Sequence, residues 1–220
     1  MSRTPIQLLL IYFAVQTVPF LIIRLFIPEE YILQGTVYGS LAAFVVGAVW
    51  MIWLSNKKDY QTSVELEDRN EKAGHPILWG VIGLFMALFA QYLASIIEVS
   101  ILGIQPESVN TQSLVLIAKE FPLFILSVAV FGPIMEEYIF RKVIFGTLYD
   151  RIGGVGAAVV SSLIFAFIHI DGHLLVYSSM GFVFSYLYYK TKNITAPIIA
   201  HSLMNGIAVL LQFSLIEGSF

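Results

Sequence analysis

No cysteine occurs among the 220 residues, which excludes disulfides, thiolate metal ligands and a cysteine nucleophile. Charge is scarce too. Lys, Arg, Asp and Glu together make up 12% of the chain, well below the roughly 25% of a typical soluble domain. The net charge of −3 says little, because in a membrane protein the placement of charge matters more than its sum; no nucleic-acid partner is expected. What the sequence does have is apolar length. It is 58% hydrophobic, with a mean hydropathy of +0.82, laid out in runs of about 20 residues, enough to cross a hydrocarbon core. That arrangement leaves no room for a separate soluble domain.

The expected fold is all-α, a polytopic membrane bundle. About seven spans are read at 5–27, 32–54, 76–98, 121–140, 154–170, 173–189 and 194–215. The first is too long for a signal-peptide core and no small-residue cleavage site follows it, so it is read as a retained helix. Ser113 to Ala118, ahead of Lys119-Glu120, reads as a short interfacial helix or as the start of a longer fourth span. Residues 1–117 then form an N-terminal set of helices with a polar loop at 56–75, and 118–212 form a second unit. Between Lys57 and Lys72 runs a mixture of acidic and basic residues, as in a solvated cytoplasmic loop.

Basic residues divide unevenly between the two sides. Arg3, Lys57, Lys58, Arg69, Lys72, Arg141, Lys142, Arg151, Lys190 and Lys192 fall on one side; Arg24 and Lys119 fall on the other. The positive-inside rule places the first side, and with it the N-terminus, in the cytoplasm. Arg24 and Glu98 read as boundary residues that reach for water near the outer surface.

Against this background a few polar residues stand out. Glu136-Glu137 follows fifteen uncharged residues, 121–135. One charge at a helix centre costs about 2.5–3.5 kcal/mol on the insertion scale, so two adjacent acids need a structural reason or a task. Glu137 and Arg141 are four apart, with the acid first, the favourable order for a helical ion pair. Glu136 points about 100° away, with no such partner, and is free to face a cavity. Phe165 and His169 repeat the four-residue spacing on the fifth run, as His201 and Asn205 do on the last. Thr195 and Pro197 suit the start of that last helix. At 1.5 Å per residue, Glu136, His169, His201 and Asn205 come to overlapping depths. Asp171 and His173 read as loop residues, with Asp171 able to orient a histidine.

Glu136-Glu137-xxx-Arg141, Phe165-xxx-His169 and His201-xxx-Asn205, in this order on successive apolar runs, resemble the CPBP family of intramembrane proteases. That family includes CAAX prenyl endopeptidases of the Rce1 type and the bacterial Abi proteins. The resemblance covers roughly residues 118–212. It implies an intramembrane endopeptidase in which Glu136 and His169 activate water and His201 and Asn205 stabilise the oxyanion. Glu137, Arg141 and Phe165 would hold the shape of the site. It further implies a multi-pass protein of a bacterial cell membrane, acting on a membrane-associated or lipidated peptide or protein. Glu136, His169 and His201 are also the candidate donors for Zn²⁺, with an open fourth position; equally, a Glu/His pair activates water without metal.

Other readings answer to the same residues. Glu136 and Glu137 could both be structural, in one ion-paired cluster with Arg141. Intramembrane Glu and His also build proton relays in carriers, although no internal repeat of the kind carriers show is visible. A non-catalytic immunity or scaffold protein that binds a membrane peptide is the third.

Overall fold

The computed structural model describes residues 3–57, 60–67, 74–106 and 108–217. Among them no strand occurs, and the helices run α1 (Thr4–Phe26), α2 (Ile32–Ser55), α3 (Ser63–Leu66), α4 (Pro76–Ser100), α5 (Val109–Glu120), α6 (Gly132–Glu137), α7 (Gly146–Ile168), α8 (Leu174–Thr191) and α9 (Thr195–Glu217). The fold is therefore all-α, as the apolar runs require. Five segments of the described residues, rather than the seven expected, are long and apolar enough to cross a membrane.

Two places account for the difference. Residues 122–168 form one helical run of 47 residues, about 70 Å at 1.5 Å per residue and too long for one crossing. The run is broken at Gly153, whose φ of 74° and ψ of 167° belong to a region open essentially to glycine alone. Leu174–Thr191, with its three serines and four tyrosines, is not one of the five. On the spans, side chains such as Leu25, Phe26, Phe85 and Leu210 lie open, as lipid-facing residues of a membrane bundle do.

Between α5 and α7 the chain departs from regular helix. Ser127–Phe131 is π-helical and Gly132 donates to Ser127 O. Pro133 follows immediately; lacking an N–H, it cannot supply the next bond of the ladder. In π register that missing bond would have gone to Val128 O. A second π-helical stretch, Tyr138–Phe145, follows α6. Its displaced carbonyls find side-chain donors: Ser161 donates to Phe140 O at 2.6 Å and Tyr60 to Lys142 O at 3.2 Å.

Packing places this irregular segment at the centre. α4 lies against α8 and α9, α7 against α8, and α1 against α2. Leu8, Ile11, Tyr12 and Val15 of α1 share one buried cluster with Met135, Tyr138, Ile139, Phe140, Val143 and Phe165. A second cluster joins Leu84, Ala87 and Ala94 of α4 to Phe184, Ala200 and Met204. α7 and α8 approach closely at Gly181, where a Cβ would meet Ser162 at 3.0 Å.

The polar loop after α2 is only partly as expected. Lys58, Arg69 and Lys72 lie outside the described residues. Residues 60–67, expected to be solvated, are instead docked. Thr62 caps α3 in a capping box with Glu65, and its hydroxyl lies 2.7 Å from that of Tyr188. Val64 is buried, Glu65 pairs with Lys142 at 2.9 Å, and Glu67 pairs with Lys192 at 2.8 Å. The loop's charges are matched by basic residues at the ends of the bundle, which the local pattern could not show.

α5 is a separate element, because Phe121 leaves helical geometry with φ −128° and ψ 80°. At the start of α9, Asn193 rather than Thr195 supplies the side chain, accepting from Thr195 N at 2.8 Å.

Candidate active site

Glu136 and Glu137, adjacent in α6, face different surroundings. Glu137 is fully buried, with Oε2 3.1 Å from Arg141 Nε. Distance makes this an ion pair, although its angle falls short of a hydrogen bond. Arg141 is fully buried as well. It donates from Nη2 to Gly181 O at 3.1 Å, and its guanidinium lies 4.7 Å from the ring centre of Phe165 and 5.1 Å from that of Phe184. Aromatic faces on a desolvated cation replace some of the lost hydration. The expected Glu137–Arg141 pair is present.

Glu136, by contrast, is one-fifth exposed and lines a cavity of about 500 Å³. His169 and Asn205 line the same cavity, together with Tyr12 and Gln16 of α1, Gln91 and Ser95 of α4, and Tyr177 of α8. His201 is buried and sits behind this wall, with Nε2 3.7 Å from Glu136 Oε2. Its Nδ1 is 2.7 Å from Glu137 Oε1. A carboxylate only accepts, so Nδ1 carries the proton there. Phe184 stacks on the imidazole at 4.8 Å and 19°.

His169 ends α7. Its Nδ1 lies 2.7 Å from Phe165 O, another acceptor, so the neutral ring keeps its free lone pair on Nε2. Phe165 touches both imidazoles, with centroids 4.6 Å from His169 and 5.7 Å from His201. Tyr177 stacks on His169 at 4.1 Å and 24°. Its hydroxyl donates to Asp171 Oδ2 at 2.8 Å, which also accepts from Ser108 at 2.6 Å. Asp171 thus reaches His169 through Tyr177 rather than directly. Asn205 donates from Nδ2 to Val128 O at 3.0 Å, the carbonyl that Pro133 leaves without a ladder partner.

Two expectations change here. Glu98 is not a boundary residue reaching for water: it is buried and accepts from Leu175 N at 2.6 Å and Val176 N at 3.2 Å. His173 Nδ1 lies 2.8 Å from its other oxygen. A carboxylate at the N-terminus of α8 meets unpaired amides and the positive end of the helix dipole. Residues 75 positions apart meet here, and neither one's neighbours predicted it. The candidate metal donors do not gather: among the described residues no three His, Asp or Glu side chains form a metal-holding group. Glu136, His169 and His201 do not form a three-donor site.

Residues 118–207 match the type II CAAX prenyl endopeptidase Rce1-like family. The membrane-embedded CAAX protease MroQ of Staphylococcus aureus is 37% identical over 214 residues, 92% of this chain and 86% of that protein. YdiL of Bacillus subtilis, named as a candidate membrane peptidase, is 45% identical over 145 residues. That match covers 66% of this chain and 59% of the relative's length. No solved structure matches the chain.

Proposed function

Because the chain belongs to the Rce1-like CAAX protease family, we propose that it is an intramembrane endopeptidase with Glu136 as the base that activates water. The observation that carries this reading is the division of the two glutamates. One is locked to Arg141, and the other opens on a cavity that it shares with His169 and Asn205.

Water bound between Glu136 and His169 Nε2 gives a proton to the Glu136 carboxylate as its oxygen attacks the peptide carbonyl carbon. The carbonyl π pair moves to oxygen, giving a tetrahedral oxyanion. Collapse breaks the C–N bond, and Glu136 returns the proton to the leaving amine. A base within reach of water and hydrogen-bond donors at the developing charge are the two requirements of this chemistry. Asn205 keeps one amide N–H beyond the one given to Val128 O. His201 donates Nδ1–H to Glu137, so it can donate from Nε2 only when the ring carries both protons. The substrate is a membrane-associated or lipidated peptide or protein, the lipid bilayer is the medium, and the N-terminus faces the cytoplasm.

The test uses wild type and Glu136→Gln in lipid vesicles with a library of amphipathic and lipidated peptides, read by mass spectrometry. Cleavage by wild type and none by Glu136→Gln is the expected result. Peptide binding without cleavage, retained in a Glu136→Gln/His169→Ala double variant, would instead favour a binding or immunity protein. Solute flux that depends on Glu136, with no peptide cut, would favour a carrier.

A further inference from the structure

The oxyanion in the proposed reaction is short of neutral donors. Asn205 has one N–H left, and His201 points its proton at Glu137. A further polar group on the cavity comes from α1, far from the matched segment in sequence. Tyr12 is buried in the cluster that holds Met135 and Ile139, and it lines the cavity beside Glu136. Gln16, one turn further along α1 and so on the same helix face, lines the same cavity, and Tyr12 lies within electrostatic reach of Glu136. An amide N–H from Gln16 given to the phenol oxygen would leave the O–H free to donate. A buried tyrosine that lines a polar cavity shared with a reactive carboxylate is placed for more than packing.

We infer that Tyr12 is a catalytic residue contributed by α1, its O–H donating to the carbonyl oxygen of the scissile bond as negative charge forms there, with Gln16 as the residue that positions it. The inference rests on the protease reading above. It also gives the first helix a part in the chemistry. The donor is neutral and buried, so it needs no proton exchange during the reaction, and preorganised donors of this kind act mainly on the transition state.

The test is Tyr12→Phe, which keeps the ring and its packing and removes only the hydroxyl. Measured in vesicles on the best-cleaved peptide of the library, kcat should fall by about 10²-fold with KM unchanged, the usual effect of losing one oxyanion donor. Gln16→Leu should give a smaller fall in kcat. A second readout separates catalysis from structure. A phosphinate analogue of the same peptide, which mimics the tetrahedral state, should bind Tyr12→Phe more weakly by a similar factor. The uncleaved peptide should bind Glu136→Gln and the Glu136→Gln/Tyr12→Phe double variant equally. Wild-type kcat in Tyr12→Phe, or equal loss of peptide and analogue binding, would overturn the inference and leave the protease reading standing. A wild type that cuts no peptide while Tyr12→Phe and Glu136→Gln behave identically to it would overturn both.

Discussion

His201 donates its Nδ1 proton to Glu137 across 2.7 Å, so the carboxylate that neutralises Arg141 also fixes the ring nearest Glu136. One buried acid serves two neighbours, and its adjacent twin is left to face the cavity. On the proposed reading the pair divides between structure and chemistry, and each half makes its own prediction.

Glu137→Gln keeps the side chain's shape and removes its charge. Arg141 then stays buried without a counter-charge, which costs about 3–5 kcal/mol when one partner of such a pair is lost. Unfolding in mild detergent should show this loss. An unchanged midpoint would mean that Arg141 is held by its aromatic neighbours and the Gly181 carbonyl alone.

This division was legible in the sequence because it is local. Glu137–Arg141 and Phe165–His169 both follow from the period of the helix. The rest was not, for physical reasons. Glu98 and His173 sit 75 residues apart, and an acid near the end of an apolar run looks the same whether it snorkels or caps another helix. Segment 60–67 reads as solvated because its partners, Lys142, Tyr188 and Lys192, lie far along the chain. Tyr12 reads as one more aromatic on a lipid-like helix until folding sets it on the cavity that Glu136 lines. The π-helical turns have no periodic signature, and only Pro133 hints at the first.

Tyr177 should set the orientation of His169. Tyr177→Phe keeps the stacked ring and loses the bond to Asp171, so a small fall in kcat is expected. Tyr177→Leu removes the ring as well, and a displaced catalytic group can cost up to about 10²-fold. Equal activity of both variants with wild type would show that the bond from His169 to Phe165 O holds the imidazole by itself.

Glu98→Leu should destabilise the bundle. Two backbone amides and His173 lose their acceptor together, at about 1–3 kcal/mol for each buried group left unsatisfied. The unfolding midpoint in detergent should drop accordingly. A neutral or raised midpoint would contradict the capping role.

The docked 60–67 segment should loosen in acid. Hydrogen bonds from Lys192 and then Tyr149 hold the Glu67 carboxyl below its usual range. Its contribution is therefore present above the ordinary carboxylate range and is lost as pH falls through the lowered value. The pair is exposed, so the effect is small. Proteolysis of this segment should quicken on acidification in wild type and be less pH-dependent in Glu67→Gln. The same acid response in both would place the sensitivity elsewhere, with Glu65 and Lys142 as the next pair to test.

The most direct measurement compares kcat and the unfolding midpoint of Glu136→Gln with those of wild type in the same lipid. A fall in kcat of about 10²–10⁴-fold, the range for loss of a general base, is expected with the midpoint unchanged. Wild-type turnover, or a loss of stability like that of Glu137→Gln, would contradict it.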